Sequence, residues 1–383
     1  MKEKDDKTIC AYGAVALLQQ VKNLKKEWEG VHSGEADIEY VHRMRVATRR
    51  FRSIFEIFES CFPKKKRGAW ESEAVRLTKA LSKARDLDVH IAMLSEFSQT
   101  LPKPQQHAGI SRLKLRLEQD REHVQPKLMK NLDRIRKNGV LDDIENSLKK
   151  ITVEPTDSPV QYSNSLYQMA FKAINRYMNR LLSYDGRIQN PKNVEDLHAM
   201  RLEAKSLRYT IEIFQQLYTD QLESQLAVIE DMQSQLGDIH DDDIWLINLE
   251  KFRKAERKRT RDFYGSEAPY NLLVPGLKVL EKTRKANRDT QYKDFIKKWE
   301  KLKEENLWGS LYQATKLPTI IYQPEPEEDE SKSTEEPVKD TQATTIAQTF
   351  AETEVKEQKL KEEKEKSVPN PQPQEDMAET TTP

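Results

Sequence analysis

A segment that recurs at a fixed distance constrains this chain more than any other feature. Residues 42–58 read HRMRVATRRFRSIFEIF, and residues 198–214 read HAMRLEAKSLRYTIEIF. At a constant offset of 156, His42 meets His198, Met44 meets Met200, Arg45 meets Arg201 and Arg52 meets Arg208. The endings match as well, Glu56, Ile57 and Phe58 against Glu212, Ile213 and Phe214. Arg49 is matched by Lys205, which keeps the charge, whereas Arg50 is replaced by Ser206. A second block follows each copy, ALSKARDLDV at 80–89 against QLGDIHDDDI at 235–244, at an offset of 155. It aligns Leu81 with Leu236, and Asp86 and Asp88 with Asp241 and Asp243. A weaker match pairs Leu117, Glu118 and Arg121 with Leu280, Glu281 and Arg284. Elements that recur in the same order at near-equal spacing mean a duplicated unit. The sequence therefore predicts two similar bundles about an approximate two-fold axis, with equivalent helices meeting at one shared cleft.

The apolar pattern is helical almost throughout. Ala14, Val15, Leu17, Leu18, Val21, Leu24 and Trp28 recur at helical spacing, as do Leu166, Met169, Ala170, Phe171, Ile174, Tyr177, Met178 and Leu181. Breaks fall near Pro63–Gly68, Pro102–Pro104, Pro155–Pro159, Asp185–Pro191 and Gly265–Pro275. The expected fold is all-α: a first helical-bundle repeat at 5–155 and a second at 160–310, meeting at one shared cleft. Residues 321–383 are rich in Glu, Lys, Thr, Gln and Pro without an apolar face and are expected to be a disordered acidic tail. Its functional reading is an arm that recruits a protein partner or competes with an anion for the body. The plainer reading is a solubilising tail.

Net charge hides an asymmetry. The chain has 64 basic and 64 acidic residues, but 17 acidic and 7 basic residues lie from Ile321 onward. That leaves 57 basic and 47 acidic residues in the first 320, a body that attracts anions. No apolar run is long enough to span a bilayer and no secretory apolar segment follows the charged N-terminus, so a cytoplasmic protein without membrane contact is expected. Cys10 and Cys61 form neither a disulfide framework nor a paired metal-ligand spacing, and are expected to be buried or half-buried thiols without chemistry.

The repeated helix carries the chemistry. His42, Arg45, Arg49 and Arg52 recur at steps of three, four and three and share one stripe, beside an apolar face of Phe51, Ile54, Phe55 and Phe58. In the second copy His198, Arg201, Lys205 and Arg208 form the stripe, with Leu207, Ile211 and Phe214 facing the core. Like charges along one helix repel unless an anion, carboxylate or solvent compensates them. A phosphate chain suits them, since guanidinium offers paired donors to phosphate oxygens. Arg50 flanks the first stripe, and Arg76, Lys79 and Lys83 add positive charge at three- and four-residue steps. Asp86, Asp88, Asp241 and Asp243 are expected to pair with arginines. A duplicated metal centre at Asp238, His240, Asp241, Asp242 and Asp243 is disfavoured, because Lys83 and Arg85 stand where the second copy has Asp238 and His240. No metal, cofactor or catalytic residue is assigned.

These residues resemble the conserved histidine alpha-helical domain, CHAD. Its first signature, a histidine, an arginine three residues later and further basic residues, is similar to His42, Arg45, Arg49, Arg50 and Arg52. The second matches His198, Arg201, Lys205, Arg208 and Tyr209. The intervening leucine and Arg-Asp-x-Asp feature matches Leu81, Arg85, Asp86 and Asp88, with a second form at Leu236, Gly237, Asp238 and Asp241. The resemblance covers about residues 5–310 and departs at Ser206 and His240. It implies two helical bundles around a basic cavity that binds inorganic polyphosphate, with association with polyphosphate granules in some members. Some relatives carry a triphosphate-processing tunnel domain, for which the first 35 positions here are too short. The resulting expectation is non-catalytic binding of polyphosphate. The alternatives are a module for RNA or DNA backbones and a metal-dependent polyphosphate-processing enzyme.

Overall fold

The computed structural model describes residues 7–33, 39–152 and 162–316. Among them the chain forms ten α-helices and short 3₁₀ turns, with no strand. The first copy contains α1 (Lys7–Ser33), α2 (Glu39–Ile57), α3 (Lys64–Gln99), α4 (Pro104–Lys137) and α5 (Val140–Lys149). The second contains α6 (Asn164–Leu182), α7 (Val194–Phe214), α8 (Glu223–Tyr264), α9 (Val274–Glu304) and α10 (Leu307–Ala314). In each copy the first four helices pack in order along the chain. The all-α duplicated fold is therefore as expected. The tail expected at 321–383 lies outside the described residues.

Helical spacing explains the burial of α2. Met44, Ala47, Thr48, Phe51, Ile54 and Phe55 fall at three- and four-residue steps, and all are buried. On α7 the buried set includes Met200, Ala204, Leu207, Ile211 and Phe214. Both stripes of expected core residues thus pack inward. A fully buried Phe such as Phe58 or Phe214 contributes about 3–5 kcal/mol against truncation to Ala.

Two apolar contacts join the copies, and the charged segments fall between them. At one end the equivalent rings of Phe58 and Phe214 touch, with centroids 5.7 Å apart, and Tyr12 stacks on Phe214 at 6.1 Å. At the other, Leu94, Ile110 and Leu113 share a core with Trp245, Leu249, Leu277 and Leu280. There α4 crosses α9 so closely that a β-carbon at Gly109 would collide with the Leu273 carbonyl, and one at Gly276 with that of Gln106. The collision is reciprocal, as an approximate two-fold axis through the crossing requires.

A duplicated buried ion pair fixes the internal alignment. Arg121 Nε donates to Asp88 Oδ1 at 2.7 Å, and Arg288 Nε donates to Asp243 Oδ1 at 3.1 Å. Asp88 and Asp243 keep the 155-residue offset, so Arg121 corresponds to Arg288. The sequence match to Arg284 is one helical turn out of register; Arg284 instead donates to Asp242 at 3.1 Å.

The cysteines depart from expectation. Cys10 and Cys61 are joined in a disulfide, with Cα atoms 5.2 Å apart, rather than standing as separate thiols. The reason is the packing of Tyr12 against Phe58, which brings the start of α1 against the turn that follows α2. No described helix is long and apolar enough to cross a membrane.

Candidate functional site

Between the two apolar contacts, α2 and α7 bring basic residues of both copies together. Arg45 and Arg49 are half-buried on α2, and Arg201, Lys205 and Arg208 are half-buried on α7. Arg45 feels Arg49, Asp86, Tyr209 and Arg85. Arg201 feels Asp241, Arg49, Tyr209 and Asp86, and Lys205 feels Arg49, Arg201, Arg45 and Arg208. One cation cluster is thus assembled from both repeats, with Asp86 of α3 and Asp241 of α8 at its edge.

The cluster is electrostatically strained. Burial, followed by repulsion from Arg49, Arg201, Arg45 and Arg208, drives the Lys205 ammonium down to about 6. Burial and then Arg49 lower Arg45 to about 10. Burial also lowers Arg201, against the pull of Asp241. Surrounding cations are neutralised by ion pairs: Arg43 with Glu27 at 2.7 Å, Arg85 with Glu39 at 3.2 Å, and Arg208 with Glu212 at 2.6 Å and Glu230 at 2.7 Å. Arg45, Arg49, Arg201 and Lys205 have no such carboxylate within 4 Å among the described residues. The Nε donors of Arg45 and Arg201, equivalent atoms in the two copies, are buried without a hydrogen-bond partner among the described residues. A buried donor left unpaired costs about 1–3 kcal/mol. A multivalent anion supplies both the missing acceptors and the missing charge.

Histidines border the cluster. His198 Nδ1 lies 3.1 Å from His240 Nδ1, a contact in which one nitrogen donates and the other accepts. Burial, then Arg201, His198 and Lys205, hold His240 down to about 4; burial, then Arg201 and Lys205, lower His198. His90 packs on Trp245 with centroids 4.4 Å apart and is lowered by burial, with Asp86 and Asp241 opposing. Gly237 faces the Arg201 guanidinium: a β-carbon there would sit 3.8 Å from its Nε.

The basic residues singled out in the sequence do not all join this cluster. Arg50 donates across the copies to Glu212, with Nη2 at 3.2 Å from the carboxylate. Its counterpart Ser206 cannot form the symmetric pair, and Glu56 accepts from Tyr177 instead, at 3.0 Å. His42 is half-buried near the start of α2. Arg52, Lys79 and Lys83 are exposed, and Arg76 bonds Glu73 at 2.9 Å. The pairing expected of Asp88 and Asp243 is present, whereas Asp86 and Asp241 face the cluster. Sequence reasoning missed His90; the available signal was its place one turn after Asp86, opposite the equivalent position Trp245. No group of three His, Cys, Asp or Glu suited to a metal ion occurs among the described residues.

A helical domain folded in two copies around a shared cluster of basic residues defines an all-α, internally duplicated class of protein. The CHAD domain family model matches residues 15–250, and the chain belongs to that family. Its fold is similar to the crystal structure of the CHAD domain from the plant Ricinus communis, with a TM-score of 0.56 and 16% identity, over 79% of this chain and 91% of that one. A second similar structure is PptA from Streptomyces chartreusis, with a TM-score of 0.48 and 12% identity, over 76% of this chain and 99% of that one. No curated protein sequence matches this one.

Proposed function

We propose that the cluster binds inorganic polyphosphate without turnover, in a basic channel between α2 and α7. The carrying observation is the set of four basic residues, Arg45, Arg49, Arg201 and Lys205, drawn from both copies and without a carboxylate within 4 Å among the described residues, while neighbouring arginines are paired. Such a site binds by multivalent contacts and counterion release, so affinity falls with salt and rises with polymer length until the channel is filled. Family membership supports the ligand class, and targeting to polyphosphate granules in the cytoplasm is the biological role this reading suggests. Calorimetric titration with long-chain polyphosphate tests it. Arg45→Ala and Arg201→Ala are each expected to weaken binding by about tenfold or more and to flatten its salt dependence. Unchanged affinity and salt slope in both variants overturns the reading. Polymer length measured over time distinguishes binding from hydrolysis.

A further inference from the structure

The outer end of α8 has no counterpart in the first copy. The helix α3 ends at Gln99, which the 155-residue offset equates with Lys254, whereas α8 continues to Tyr264. Gly265 then stops it with φ of 69° and donates its N–H to the Arg261 carbonyl. The outer part of α8 buries one face only, Phe252, Glu256 and Thr260 at four-residue steps. Glu256 is held there by Arg116 at 3.0 Å and Arg259 at 3.2 Å.

The opposite face carries Lys251, Lys254, Lys258 and Arg261, at steps of three, four and three, all exposed. The stripe runs about 15 Å along the helix. Lys254 meets Glu250 one turn back, and Arg261 meets Glu267, which also faces Arg257 at 3.7 Å. Lys251 and Lys258 have no carboxylate within 4 Å among the described residues, and Asp262 is the other acidic group at this end. Beyond the stripe, Phe263 and Tyr264 are 82% and 61% exposed and pack edge-on at 4.8 Å. These rings contribute almost nothing to the core. The family match ends at residue 250, just before the stripe begins.

We propose that this arm is a second polyanion site, separate from the cluster between the copies, and that it takes single-stranded nucleic acid. The stripe follows the sugar-phosphate backbone while Phe263 and Tyr264 offer faces on which bases stack. A phosphate polymer has no bases, so the rings would add nothing to its binding. A lipid surface would engage the rings but only the nearest part of a stripe that runs back along the helix. A strand laid along α8 uses both.

The experiment measures anisotropy of a short labelled oligoadenylate with the full chain. Phe263→Ser/Tyr264→Ser is expected to weaken binding by about tenfold or more. Lys251→Gln/Lys258→Gln is expected to weaken it similarly and to reduce the salt slope by about 1.4. Arg45→Ala/Arg201→Ala leaves oligoadenylate binding intact, and its effect on polyphosphate is read separately. All four arm positions are exposed, and circular dichroism checks that helix content is kept. Three results overturn the proposal: no oligoadenylate binding at low salt, binding indifferent to the arm variants, or loss confined to phosphatidylserine vesicles.

Discussion

Replacing Lys205 with methionine separates what the cation cluster costs the fold from what it gives the ligand. Methionine keeps an unbranched apolar stem and removes the ammonium. Lys205 stands at about 6 in the folded protein, against about 10.4 in an unfolded chain. At about 1.36 kcal/mol per unit that shift corresponds nominally to about 6 kcal/mol against the charged form. Solvent at a half-buried side chain reduces the effective figure to about 2–3 kcal/mol. Because the folded value is the lower one, the unfolded chain holds more protons between about pH 6 and 10, and wild-type stability rises with pH across that window. The penalty is complete at pH 6 and below. Lys205→Met is therefore expected to stabilise the protein by about 2–3 kcal/mol at pH 5.5, by no more than that at pH 7.5, and by almost nothing near pH 10. Urea unfolding followed by tryptophan fluorescence at the three pH values measures this. A variant no more stable than wild type at pH 5.5, or a gain that ignores pH, refutes the reasoning.

On the proposed function, the same residue is expected to set the pH dependence of polyphosphate binding. A bound polyanion raises Lys205 toward its ordinary value and takes up a proton, so polyphosphate affinity is expected to fall by up to about tenfold per pH unit between about pH 7 and 9. Calorimetry in buffers of different ionisation heat counts the proton, and Lys205→Met abolishes the slope. Gly276→Ala forces a β-carbon into the Gln106 carbonyl and is expected to destabilise by about 2–3 kcal/mol in urea unfolding. Reducing the Cys10–Cys61 disulfide, whose partners are 51 residues apart, is expected to remove about 4 kcal/mol and to lower the melting temperature measured with and without reductant.

The paired helices α2 and α7 were legible because their core residues keep helical spacing in both copies and the histidine-arginine stripe recurs among diverged neighbours. The register of α4 against α9 was not. Basic residues recur at every turn of those helices, so a shift of four places still matches charge to charge, and the pairs Arg121–Asp88 and Arg288–Asp243, with the reciprocal crossing of Gly109 and Gly276, select the alignment. The neutralisation of Arg50 was equally hidden, since its partner Glu212 lies 162 residues away and belongs to the other copy. The disulfide left no trace in spacing: it depends on Tyr12 and Phe58 packing together, a tertiary contact that no local pattern encodes.

The reciprocal crossing of Gly109 and Gly276, and the contact of Phe58 with Phe214, make each copy the other's subunit. A polypeptide holding one copy would close only by meeting its own image, and every substitution in it would then appear on both walls of the site. Joining the halves in one chain removes that restriction. Arg50 stands opposite Ser206 and Arg85 opposite His240, so the walls have drifted apart in chemistry while keeping one architecture. An asymmetric ligand, or one held in a single direction, is within reach of such a site and beyond that of a symmetric dimer.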